Sequence, residues 1–286
     1  MNETTRTTLM WLWPKDGWGK LDVGKVADDI AAMGCGWVIP QASLAAPWWI
    51  EKNLARLQQS GLSVIAGLGV DGAVKQPDAV TKITKAILAG IDSCGYCMVD
   101  WEGRWEGKQR EALQIAENVV RQRPDVLDKL RLMDCPWWAP FSTPDGHKTH
   151  PRAPTKEWGK IVHLRFVQAY GAPKDGQSMW MWRAAVKQYA DTFGESRAVI
   201  RPALQGYKRS AGDHVKTMLA ADNGPIAIWD YLELDAEARL GLRVVKALHG
   251  MNYWGVNAVE MFQMDHGVKD QKPGGLTPDT LKALGL

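Results

Sequence analysis

Residues 96–102 read Tyr96-Cys-Met-Val-Asp-Trp-Glu102, a short apolar run that ends on two carboxylates two positions apart. Such a run, followed by a stretch with helical periodicity, reads as a β-strand leading into a helix. The pattern recurs. Thr7–Pro14, Gly36–Gln41 and Ser63–Val70 precede it, and Lys129–Cys135, Val162–Tyr170, Ala198–Gln205 and Pro225–Tyr231 follow it. Between these runs, VGKVADDIAAMG, IEKNLARLQQSG, DAVTKITKAILAG and KQREALQIAENVVRQ place apolar residues three and four apart. Gly34, Gly61 and Gly90 stand where left-handed helix C-caps belong. The strand centres lie about 31 residues apart, the size of one βαβ step. Eight such steps predict an α/β fold, a closed (β/α)8 TIM barrel over residues 1–250, with a short helical extension over 251–286. An open doubly wound sheet is disfavoured, because Lys15-Asp-Gly-Trp-Gly19 after the first strand has the wrong spacing for a phosphate-binding loop.

Composition narrows the partners. The chain has 286 residues, 45% hydrophobic and 23% charged, with a net charge of +3. That charge suits an anionic partner but is too small and scattered for nucleic acid. No apolar run has the length of a membrane span, so no membrane insertion is expected. The opening MNETTRTTLMWLWP lacks the charged-then-apolar pattern of a secretory signal. The expectation is a monomer made in the cytoplasm without a signal peptide. Cys35, Cys94, Cys97 and Cys135 fall at or beside strands, as buried thiols do. No metal or other cofactor is expected: Cys94-Gly-Tyr-Cys97 has no second pair, and His147 and His150 sit in a Pro-rich loop rather than a helical HExxH.

In a barrel of this kind the chemistry sits at the C-terminal ends of the strands. Those ends hold Trp11 and Trp13 (strand 1), Gln41 with Trp48 just beyond (strand 2), Asp71 (strand 3), and Asp100, Trp101 and Glu102 with Trp105 (strand 4). They continue with Asp134 and Trp137 (strand 5), Gln168 and Tyr170 (strand 6), Gln205 and Tyr207 (strand 7), and Trp229, Asp230 and Tyr231 (strand 8). Carboxylates, amides and flat aromatic rings in one mouth fit a glycan: indoles stack on sugar faces, amides bind hydroxyls and acids perform the chemistry. The 15 tryptophans, against 4 Phe and 6 Tyr, are therefore expected to line a groove, with Trp37, Trp180 and Trp182 assigned to the core. Asp100 and Glu102 project to the same side of their strand, about 7 Å apart along it. Their proximity disfavours joint ionisation and is expected to leave a proton on Glu102. Asp71 has no acid beside it in sequence, so its replacement is expected to matter less.

The Asp100-x-Glu102 ending resembles the strand-4 acid pair of family 25 lysozymes, which are barrel N-acetylmuramidases. It also resembles a shortened form of the D-x-x-D-x-D-x-E strand of family 18 chitinases. The resemblance implies that Glu102 is the general acid and that Asp100 positions the substrate's own N-acetyl group as nucleophile. The first strand, Leu9-Met-Trp-Leu-Trp13, departs from the family 25 pattern, which has an aspartate there. At the other end, Phe262-Gln263, His266-Gly267 and Thr280-Leu-Lys-Ala-Leu284 resemble the second half of a peptidoglycan-binding repeat. Together these imply a peptidoglycan hydrolase, lysozyme-like and of the phage endolysin kind, acting on peptidoglycan or a related N-acetylated glycan. Two alternatives stay open. One is a non-catalytic glycan-binding barrel, which a fully solvated Glu102 would favour. The other is a metal-dependent amidase or deacetylase built from Asp71, Asp134 and Asp230 with His147, His150 or His163.

Overall fold

The computed structural model describes residues 8–13, 20–44, 48–136, 152–170, 177–193, 200–221, 224–268 and 275–286. Eight parallel strands close on themselves: β1 (Thr8–Leu12), β2 (Cys35–Ser43), β3 in two pieces (Ser63–Val64 and Ala66–Gly69) and β4 (Cys97–Trp101). The circle continues through β5 (Leu132–Pro136), β6 (Leu164–Gln168), β7 (Ile200–Gln205) and β8 (Ile226–Trp229), which returns to pair with β1. Outside run α1 (Val23–Ala32), α2 (Trp48–Gln59), α3 (Ala79–Cys94), α4 (Gln109–Gln122), α5 (Thr155–Gly159), α6 (Gln177–Phe193), α7 (Ala211–Ala220) and α8 (Ala236–Gly250). This is the (β/α)8 barrel that the sequence predicts.

Both faces of each strand are buried, and the two-residue pleat sorts side chains between two cores. Leu9, Trp11, Ile39, Ile65, Met98, Met133, Cys135 and Phe166 point inward and fill the barrel. Trp37 and Tyr96 pack edge to face, 5.1 Å apart, at the strand-entry end. Outward residues such as Val99, Trp101 and Leu132 meet α3 and α4 through Ile83, Ile87, Ile115 and Val119. The helices stop and start where local chemistry directs. Asp22 caps α1 by accepting the Lys25 N–H, and Ser210 caps α7 through Asp213 N–H. α3 runs four residues past Gly90 and ends at Gly95, in the left-handed conformation, rather than at Gly90. Gly90 instead lets the helix touch the sheet, since a Cβ there would lie 2.8 Å from the Ala66 Cβ. Trp182 is half-buried, with its indole N–H donated to the Ile200 carbonyl, whereas Trp180, assigned to the core from sequence, is 46% exposed.

The last segment folds as α9 (Ala258–Asp265) and α10 (Pro278–Ala283). Ala258, Val259, Phe262 and Leu284 are buried in the same core as Val245 and Leu248 of α8. Gln263 donates to Thr280 Oγ1 (2.8 Å) and the Gly275 carbonyl (3.0 Å), tying the two short helices together. Among the described residues, no helix is long and apolar enough to cross a membrane.

One buried ion pair links the strands. Arg165 on β6 binds Asp134 on β5 at 3.0 Å, both at most 1% exposed, and Arg165 also donates to the Thr155 carbonyl. Burial pushes the Asp134 carboxyl up, and the Arg165 guanidinium pulls it back. Breaking such a pair from one side leaves a buried charge alone, whereas replacing both partners removes the desolvation cost. Arg165→Met is therefore expected to lose about 3–5 kcal/mol in urea unfolding, and Asp134→Leu/Arg165→Met to recover most of it. A double variant no more stable than the single one would show that the pair's hydrogen bonds, not its charges, hold the strands.

Candidate active site

The strand ends build one pocket. β4 carries Asp100 and, just past its end, Glu102; β3 leads through Val70 to Asp71; β2 contributes Gln41; β1 and β8 end in Trp13 and Trp229. With Ala42, Gly69 and Gly72 these residues enclose a cavity of about 310 Å³. β8 lies four strands from β4 in the closed order, so the acids occupy one wall and the two indoles the opposite one. Trp229 is wedged between Trp11 and Trp13, with ring centroids 5.0 and 5.4 Å away. Trp13 is the more open of the aromatic faces, at 37% exposure.

Hydrogen bonds set the acids in place. Trp11 donates its indole N–H to Gln41 Oε1, which fixes the amide orientation and turns Gln41 Nε2 toward Asp100 Oδ2 at 3.4 Å. Gln168 Nε2 donates to Glu102 Oε1 at 2.9 Å and reaches Asp100 Oδ1 at 3.4 Å, bridging the two carboxyls. Asp71 Oδ1 accepts the backbone N–H of Glu102 at 2.7 Å. Gly69 is required by this arrangement, because a Cβ there would stand 2.5 Å from Gln41 Nε2. Beneath the pair lie Cys135 and Tyr170, both pushed well above their ordinary values by burial, then by the neighbouring acids, and so neutral.

Of the pair, Asp100 is the carboxyl whose proton affinity its surroundings raise. Burial, then the charges of Glu102 and Asp71, hold Asp100 well above the usual carboxylate range, with Gln41 opposing them. Like-charge repulsion thus acts as the sequence implied, but on Asp100. Glu102 is partly buried and hydrogen-bonded rather than fully solvated.

Of the residues expected in the mouth, Asp100, Glu102, Gln41, Gln168, Trp13 and Trp229 meet there, with Tyr170 against the barrel core below. Gln205 stands beside Trp229 in register, and the half-exposed Tyr207 lies near enough to Tyr170 to act on its charge. Five expectations need correction. Trp11 is fully buried inside the barrel and orients Gln41, so its face cannot meet a sugar. Trp101 (1% exposed) and Trp105 (0%) lie on the outer side of the strand among helix residues, since the pleat turns Trp101 away from its two acidic neighbours. Trp101 donates to Asp134 Oδ2 at 3.1 Å, and Trp105 packs on Trp158 at 5.8 Å. Asp134 faces outward too, bound to Arg165 and closed to any ligand. Asp230 is completely buried, and its Oδ1 accepts the Trp13 backbone N–H at 3.1 Å, so it holds Trp13 rather than substrate. The Trp48 side chain and Trp137, with His147 and His150, lie outside the described residues.

Sequence reading placed Asp71 at the end of strand 3 but gave it no part beside Asp100 and Glu102, and it did not single out Gly69. The signal was present: Ile65, Gly67, Gly69 and Asp71 alternate along β3 and its end as Met98 and Asp100 do along β4. Among the described residues no group of three or more His, Cys, Asp or Glu could hold a metal ion. All four cysteines are free thiols.

No family model matches the chain, and no curated protein matches its sequence. Solved structures do match its fold. The spore cortex-lytic enzyme SleL of Bacillus megaterium QM B1551 superposes with a TM-score of 0.60 at 10% identity, over 86% of this chain and 74% of that one. A chitinase of Chromobacterium violaceum ATCC 12472 gives 0.58 at 12%, over 84% and 98%. A mutant GH18 chitinase of Cycas revoluta, in complex with (GlcNAc)4, gives 0.59 at 10%, over 82% and 97%. At such identities the likeness is one of fold.

The raised Asp100 makes a stability prediction. Between the ordinary aspartate value of 3.8 and its higher folded value, the native state binds more protons here than the unfolded chain. Stability from this group is full below 3.8 and falls as pH rises through the folded value. Asp100→Asn, neutral at every pH, escapes that loss. Its urea midpoint should gain on wild type as pH rises from acid to neutral; a constant difference would mean that Asp100 titrates normally.

Proposed function

We propose that the protein is a glycoside hydrolase acting on N-acetylated glycans. The observation that carries this reading is the Asp100–Glu102 pair, bridged by Gln168 and faced across a pocket by Trp13 and Trp229. Indole faces suit the C–H faces of a pyranose, and two carboxyls sharing one proton suit protonation of an acetal oxygen. The barrels of similar fold in SleL and the chitinases, one of them holding (GlcNAc)4, support an N-acetylated substrate.

The route is substrate-assisted. The shared proton passes to Glu102 as sugar fills the pocket, and Glu102 donates it to the glycosidic oxygen as the C–O bond breaks. Asp100, now a carboxylate, accepts the acetamido N–H, and the acetamido oxygen bonds to the anomeric carbon. Water then attacks that carbon as its bond to the acetamido oxygen breaks, and gives its proton to Glu102, which is again the acid. Two displacements leave the anomeric configuration retained. The fixed amides of Gln41 and Gln168 keep the pair aligned throughout.

The finer reading is peptidoglycan as substrate and a muramidase, of the endolysin kind, as the enzyme. Its support is the C-terminal likeness to a wall-binding repeat. Met251, Val256, Met261, Met264 and Leu286 expose apolar surface on that segment, while Phe262 and Gln263 are occupied in its core. Met261→Ser/Met264→Ser is expected to weaken sedimentation with purified cell walls while sparing hydrolysis of soluble oligosaccharides. Unchanged sedimentation would leave the segment a packing element alone.

Glu102→Gln is expected to retain fold and sugar binding and to lose on the order of 10²–10⁴-fold in rate, the worth of general acid catalysis. The assay is release of reducing ends from chitooligosaccharides and from purified peptidoglycan, with mass analysis of the products. Reducing-end muramic acid marks a muramidase, and reducing-end glucosamine a glucosaminidase or chitinase. Release at the wild-type rate from Glu102→Gln would end the catalytic assignment.

A further inference from the structure

Three carboxyls meet in this pocket, and the third comes from a different strand. Asp71 stands past the end of β3, next to β4 in the sheet, where Gly69 pairs with Asp100. Its Oδ1 accepts the Glu102 N–H at 2.7 Å, and its side chain lines the same cavity as Asp100 and Glu102. On β4 itself the inward position before Asp100 is Met98, part of the barrel core, so that strand supplies no further acid below the pair. The groups that face Asp100 are Glu102 on β4, Asp71 after β3, Gln41 on β2, Gln168 and Tyr170 from β6 and its end, and Cys135 on β5. The amides carry no charge and the thiol and phenol are neutral, which leaves the acids. No Lys or Arg lines the cavity among the described residues.

We propose that Asp71 is a positioning residue for the reaction assigned above: it clamps the Glu102 backbone, and its negative charge holds one proton on the Asp100–Glu102 pair in the free enzyme. The catalytic consequence rests on the glycosidase reading; the electrostatic one does not. The clamp fixes where the acid enters the pocket, because the peptide N–H held by Asp71 belongs to the residue whose side chain donates the proton. The charge acts in one direction. A negative group beside a carboxyl pair raises the pair's affinity for its last proton, so the pair stays singly protonated to higher pH than it would alone. The higher Asp100 value, to which Asp71 contributes after burial and Glu102, agrees. The expectation from sequence, that Asp71 matters less because no acid stands beside it in sequence, leaves out this neighbour across the strands.

Asp71→Asn separates the two roles, since its side-chain oxygen can still accept the Glu102 N–H while the charge is gone. Carboxyl carbon-13 titration of the whole protein, with the Asp100 signal assigned by its loss in Asp100→Asn, reads the effect without substrate. The Asp100 midpoint is expected to fall by about one pH unit in Asp71→Asn. Asp71→Ser, also neutral and smaller, should give the same shift, which guards against poor folding of one variant. Both limbs of the pH–rate profile on chitooligosaccharide should move to lower pH by a similar amount. An unmoved Asp100 midpoint in folded variants overturns the proposal, as does a rate loss without movement of either limb. A wild type that shifts on titration as stated but cleaves no glycan would overturn the glycosidase reading and leave the role of Asp71 in proton retention standing.

Discussion

The pleat of β4 is the constraint from which the site follows. Successive residues of a strand face opposite sides, and both sides of this strand are buried. Cys97, Val99 and Trp101 must therefore serve the helix-facing core, while Met98 and Asp100 serve the barrel interior, with Glu102 opening into the pocket just beyond. An apolar side chain between two acids is what alternation requires of a strand that carries acids inward and packing groups outward. The outward side is tied down as well. The Trp101 indole N–H, the Asp134 carboxylate and the Arg165 guanidinium run across three adjacent strands, so the backbone that presents the acids is braced from behind.

That bracing has an electrostatic counterpart. Acids crowded into a cavity without a lining cation are unfavourable for folding and favourable for proton transfer, because the free energy that raises the proton affinity of Asp100 is taken from the folded state. Asp134 shows the other way of burying an acid: a guanidinium partner and an indole donor oppose the desolvation. The two aspartates lie one register step apart on neighbouring strands and differ only in the face they occupy. The fold pairs the acid that holds strands together and leaves Asp100 without a cation lining its cavity among the described residues.

Much of this was legible in the sequence. Apolar runs at regular spacing led to the barrel, since eight steps of strand and helix have few other ways to bury every strand on both faces. Asp100, Glu102, Gln41, Gln168, Trp13 and Trp229 were legible because the inward positions at the strand ends of a barrel converge on one mouth. The errors have distinct physical causes. Trp101 and Asp134 were read by their place at the strand end alone, although alternation already assigned them to the outer face. Trp11 and Asp230 have the right place but insufficient room: each is enclosed by neighbours that only the closed barrel brings together. Asp71 was ranked below the pair because its partners are 29 and 31 residues away, and a pair across strands leaves no local pattern.

Among the described residues, part of the tryptophan surplus serves hydrogen bonding rather than a groove lining. Three of the described indoles act through their N–H groups: Trp11 on Gln41, Trp101 on Asp134 and Trp182 on the Ile200 carbonyl. Each combines a large apolar surface with a single fixed donor, so it fills a gap in a core and orients one polar partner at the same time. Phenylalanine would fill the gap and leave the partner free to turn. For Gln41 that difference reaches the chemistry, because a rotated amide would present an oxygen, not N–H, to Asp100. Among the described indoles, only Trp13 and Trp229 line the cavity, on the wall opposite the acids. On the proposed reading, an indole beside the acids would compete with the sugar for the carboxyls, whereas one placed across the cavity would hold the sugar against them.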